Sequence, residues 1–147
     1  MSGIEVGGFW DGRSGHILRW IAVPIAAVAG ALVGYLLGYV NSFLVHDMLP
    51  IPGGWQPAFT GILQDYFSPM LWVLAPAWVA PKGSKYVAII FGTIIAVSIA
   101  GAALAGPLGL TSAGLSGLDL VLWVVLGALG TATGMALGFA IAKDRKE

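Results

Sequence analysis

Five side chains in this sequence are candidates for a polar cluster that could bind or transform something: Asn41, His46, Asp47, Asp65 and Asp119. His46 beside Asp47 could pair an imidazole with a carboxylate as base and acid, with Asp65 and Asp119 as further carboxylates and Asn41 and Ser42 as polar neighbours. Hydrolysis or group transfer needs more than that: a nucleophile with its base, or a metal clamp. No G-x-S-x-G, H-E-x-x-H or paired-carboxylate pattern occurs. The cluster reads better as polar residues gathered at a membrane boundary, where water is, and no enzyme activity is expected.

Cofactor chemistry is as thin. The chain has no cysteine, which removes disulfides, Fe–S ligation, c-type haem attachment and thiol catalysis. Its two histidines are His16 and His46. Two-histidine haem ligation needs imidazoles at similar depth on facing helices. These two flank one apolar stretch and stand roughly 45 Å apart along a helix. Neither a cofactor nor a metal site is expected.

Carriers that couple to protons or ions hold an ionisable side chain within the membrane, because that group binds the coupling ion. Asp65 is the candidate. Counted from Thr60 as the helix start, it lies about one turn inside its span. That depth suits an interfacial carboxylate favoured by the helix N-terminus. The small multidrug carriers also have four spans but depend on a glutamate in the first, and the first span here has no acidic residue.

The elements that would position these groups are membrane helices. Of 147 residues, 58% are hydrophobic and 10% charged, with a mean hydropathy of +0.89. A soluble surface needs about a quarter charged residues. The formal net charge is zero, so no basic stripe is available for nucleic acid, which is not expected as a partner. Four apolar runs approach the ~20 residues that cross a bilayer: about 17–45, 60–80, 86–105 and 118–142. Together they predict one all-α membrane domain over 1–147, an antiparallel four-helix bundle with short tails at 1–16 and 143–147. The first run is too long, and the first sixteen residues too acidic and glycine-rich, for a cleaved signal peptide.

All seven Lys and Arg residues fall at one end of the four spans. By the positive-inside rule both termini and the 82–85 turn face the cytoplasm, and the segments 46–58 and 106–117 face outward, in a plasma (inner) membrane. Trp20, Trp78 and Tyr86 would mark the inner boundary, Tyr66 and Trp123 the outer one.

Two spans carry glycine at every fourth position: Gly30, Gly34 and Gly38, then Gly130, Gly134 and Gly138. Span three has a smaller version in Gly92, Ala96 and Ala100. Such strips let helices pack backbone to backbone, a main source of association in lipid. The strip in span four, flanked by Thr131, Ala132 and Thr133, is expected to face a separate chain, and that in span one to pack within the bundle. The expectation is therefore an accessory or scaffold subunit of a larger membrane complex, working through other transmembrane helices. The alternatives are a homo-oligomer forming a pore or a holin-like assembly, and a minimal transporter using Asp65.

Overall fold

The computed structural model describes residues 13–48, 56–105 and 118–146. They form four helices: α1 (Arg13–Met48), α2 (Gln56–Val79), α3 (Ser84–Ala105) and α4 (Leu118–Asp144). Three are long and apolar enough to cross a membrane, over Ser14–Asn41, Ser84–Ala105 and Asp119–Asp144. The protein is all-helical, with the apolar helices of an integral membrane protein.

α2 is the exception to that hydropathy, and its position explains why. It is the one helix touched by all three others. A helix wrapped by protein does not need lipid-facing hydrophobicity, so α2 tolerates Gln64, Asp65, Tyr66 and Ser68 in its sequence. The other three present mostly outward surface. Even in α1, only 28% of the most apolar stretch is buried, and in α3 17%. Ile25, Leu32, Leu36 and Phe43 are among the many large α1 side chains left exposed, as lipid contact requires.

The helices are not arranged as a closed ring. Among the described residues α1 packs on α2 alone, while α4 lies against α2 and α3. Both glycine strips are turned inward, onto α2. A Cβ built on Gly30 would lie 2.5 Å from the Leu71 carbonyl oxygen and 2.9 Å from the Ala75 Cβ. One on Gly34 would strike the Ser68 backbone, and one on Gly38 the Gln64 side chain. Successive glycines of α1 thus meet earlier and earlier residues of α2, so the pair is antiparallel. On α4 the order runs the other way: Gly130 faces Tyr66, Gly134 faces Met70 and Val73, and Gly138 lies against Ala77 and Ala88. The expectation that the span-four strip faces a separate chain is thereby corrected. The size of the flanking residues does not decide this, and helix order does: α4 packs on both α2 and α3, and its glycine face is the one that fits against them.

The packed core sits toward the α2–α3 turn. Val23, Val73, Ala77, Ala80, Val87 and Ala88 are buried there, with Phe91, Ile95 and Met135 against them. Alanine and valine keep the helices close. The turn uses Gly83 at φ +72°, a left-handed conformation that glycine adopts without steric cost. The Gly83 carbonyl then accepts from the Tyr86 and Val87 N–H groups at 2.9 and 3.1 Å, opening α3. Helix α2 ends with free carbonyls, as every helix must. The Arg145 guanidinium donates to two of them nearby, Trp78 O at 2.7 Å and Ala80 O at 2.6 Å, and to Ser84 Oγ at 3.2 Å. Arg145, just beyond α4, therefore caps the central helix.

Gly34→Leu and Gly134→Leu should each destabilise the isolated protein by about 2 kcal/mol or more, the cost of overpacking a close contact. The measure is unfolding in mild detergent titrated with sodium dodecyl sulfate. Gly101→Leu should be neutral, since nothing lies within 4 Å of a Cβ there. A Gly134→Leu protein as stable as Gly101→Leu would show that α4 does not pack on α2 through this strip.

Candidate functional site: a cavity at Asp65

Away from the dense end, α2, α3 and α4 separate around a cavity of about 440 Å³. Its wall includes Gln64, Asp65, Ser68 and Trp72 from α2, Ser98 from α3 and Trp123 from α4. The volume exceeds the roughly 30 Å³ share of one water molecule many times over.

The depth of Asp65 differs from the sequence expectation. Helix α2 starts at Gln56 rather than near Thr60, which places Asp65 roughly 13 Å along the helix at 1.5 Å per residue. Proline at position 57 allows the earlier start, because its missing N–H is no loss in a first helical turn. Asp65 has no hydrogen bond and no ion pair with any described residue. Its side chain is half-buried.

The two serine hydroxyls on the wall have their protons committed elsewhere. Ser98 Oγ donates its proton to Ile94 O at 2.8 Å, and Ser68 Oγ donates to Ala31 O at 3.3 Å. A hydroxyl whose proton is committed to a carbonyl still offers oxygen lone pairs. The backbone adds another acceptor. Pro69 lies inside α2 and has no N–H to return to the carbonyl of Asp65, four residues earlier. In a membrane helix such freed carbonyls must be satisfied by neighbours or by a ligand. One residue therefore supplies both a carboxylate and a carbonyl released from helical bonding. The wall also carries an unpaid cost: Trp72 Nε1 is buried without a hydrogen-bond partner among the described residues, worth about 1–3 kcal/mol.

The remaining candidates do not join this site. Asp119 is exposed on the first turn of α4, and Asn41 is half-buried on α1; neither lines the cavity. His46 and Asp47 belong to α1, but their side chains lie outside the described residues, as do the segments 49–55 and 106–117. Among the described residues no three His, Asp or Glu side chains are grouped to hold a metal ion. His16 accepts a hydrogen bond from Trp20 Nε1 at 3.3 Å on an exposed face.

Two aromatic residues expected at the outer boundary turn inward. Tyr66 donates its hydroxyl proton to Thr133 Oγ1 at 3.0 Å, tying α2 to α4, and Trp123 faces the cavity. By contrast Trp78 and Tyr86 are 68% and 62% exposed. The sequence signal that marks this site is the run Q-D-Y-F-S-P. A carboxylate four residues before a proline, inside an apolar helix, pairs a charge with a freed carbonyl.

Comparison of the chain with protein-family models, with curated proteins and with solved structures returns no match, and the argument for function rests on the cavity itself.

Proposed function

We propose that this protein is a minimal membrane carrier or cation-binding unit that holds a small cation at Asp65. The observation that carries the reading is a carboxylate without a protein partner among the described residues, in a cavity between three helices whose wall also holds the Ser68 and Ser98 hydroxyls. An ionised side chain within a membrane protein is costly, and its retention there marks an ion or substrate site. The cavity is too large for a bare ion. It fits a cation that keeps part of its hydration shell, or an alkylammonium, for which the Trp72 and Trp123 rings offer cation–π contact.

On this reading α2 spans the membrane as the protein-wrapped fourth helix. Both ends of the chain and the 82–85 turn are cytoplasmic, because the basic residues gather at that end. The helix-contact reading, an accessory subunit of a larger membrane complex, keeps one observation in its favour. A groove of about 610 Å³ between α3 and α4 is lined by Gly92, Ala96, Ala100, Ala128 and Ala132, and that small-residue surface suits another transmembrane helix. The two glycine strips no longer support it, being occupied within the chain.

Binding of labelled tetramethylammonium and of labelled sodium to the purified protein tests the carrier reading by equilibrium dialysis. Wild type should bind at least one of them, and Asp65→Asn should weaken binding by about tenfold or more, the value of a hydrogen-bonded or paired charge. Equal binding by Asp65→Asn, or none of either cation by wild type, would reject it. Orientation is tested separately with an impermeant thiol reagent on intact cells. Cysteine at the exposed position Lys82 should stay unlabelled until the cells are opened, and labelling from outside would invert the topology.

A further inference from the structure

A second cavity, of about 640 Å³, opens at the opposite end of the molecule from Asp65. Five cationic side chains line it: Arg19 from α1, Lys82 from the α2–α3 turn, Lys85 from the first turn of α3, and Arg145 and Lys146 beyond α4. The chain has seven Lys and Arg residues in all, so a sorting rule for loops accounts for their side of the membrane but not for their meeting around one space. Arg145 is held by its three hydrogen bonds to the end of α2. Lys85 lies over the Tyr86 ring at 5.0 Å. None of the five forms an ion pair with a described residue, and Asp144, the nearby carboxylate, does not line the cavity. The N-terminus of the 22-residue helix α3 opens at the same place, adding the positive end of its dipole.

We infer that this cavity binds the phosphate of an anionic phospholipid at the membrane boundary. Convergent positive charge, without an ion pair among the described residues, selects a phosphate, and basic pockets between transmembrane helices are suited to lipid headgroups. Position favours a lipid over a soluble anion. Arg19 lies within the apolar span that begins at Ser14, and Trp78 and Tyr86 stand exposed on the outside of this end, at the depth where aromatic rings meet headgroups. A smaller recess of about 340 Å³ shares Arg19 and Arg145 with the main cavity and continues along Trp78 and Val79. It offers a path from the charged space to the apolar surface, which a lipid needs and a free phosphate does not.

The test uses the whole chain purified in a nonionic detergent and equilibrated with equal amounts of phosphatidylglycerol and phosphatidylcholine of the same acyl chains. Retained lipid is counted by native mass spectrometry. Each cation near a membrane surface is worth roughly fivefold in binding an anionic lipid, so phosphatidylglycerol should be retained with a preference of about tenfold or more. The triple variant K82Q/K85Q/K146Q should lose that preference, and Lys143→Gln, which removes a charge outside the cavity, should keep it. Millimolar inorganic phosphate should leave the bound lipid in place. Equal retention of the two lipids by wild type would overturn the inference even if the triple variant failed to fold. So would equal losses in K82Q/K85Q/K146Q and Lys143→Gln, or displacement of the lipid by inorganic phosphate, which would make the site one for a free anion.

Discussion

Helices in lipid gain nothing by exchanging one apolar surface for another, so their association depends on how closely their backbones can approach. In this chain that constraint acts on a single helix. α2 is approached from one side by Gly30, Gly34 and Gly38 and from another by Gly130 and Gly134. With Cβ atoms absent on both approaches, α1 and α4 reach its backbone, and Arg145 closes its last carbonyls. The grip is what permits polar side chains on α2. A helix with a carboxylate, an amide and two internal prolines is thereby held by protein contacts on two sides.

Packing is not uniform along the gripped helix. Near the turn, Ala77, Ala80 and Ala88 are fully buried and leave no room. Farther along, Pro69, Ser68 and Asp65 face a space that α3 and α4 do not fill. Close packing at one end and an open space at the other divide the bundle in physical terms: the alanine-rich half holds the helices together, and the half with the polar side chains leaves a cavity between them. Charge is divided the same way, with a carboxylate at one cavity and cations at the other.

Most of the architecture is legible in the residues. Hydropathy gives the helices, and the pair Pro81 and Gly83 gives the tight turn between α2 and α3. Glycine spacing shows which helices are built for close approach. It does not show what they approach, because a strip of small residues looks the same whether it meets its own chain or another. For α4 the direction came out reversed, and only the three-dimensional order of the helices resolves it. The candidate site was half visible. Asp65 stands out as the one acidic residue well inside a span, but its depth depended on where α2 begins. Thr60 looked like the start, and Pro57 supports one a turn earlier. The acceptor character of the site was hidden, since it depends on where the Ser68 and Ser98 hydroxyls send their protons. The basic cavity was equally hidden: the seven cations were visible as a sorted set, but not as neighbours.

The central claim is that Asp65 sits within the membrane, facing a cavity that a cation can occupy. Modification of that carboxylate by carbodiimides tests it most directly, read by peptide mass spectrometry on protein in lipid vesicles. A hydrophobic carbodiimide should label Asp65, a water-soluble one should label it poorly, and tetramethylammonium should protect it. Equal labelling by both reagents without protection would contradict the account and return Asp65 to the membrane surface.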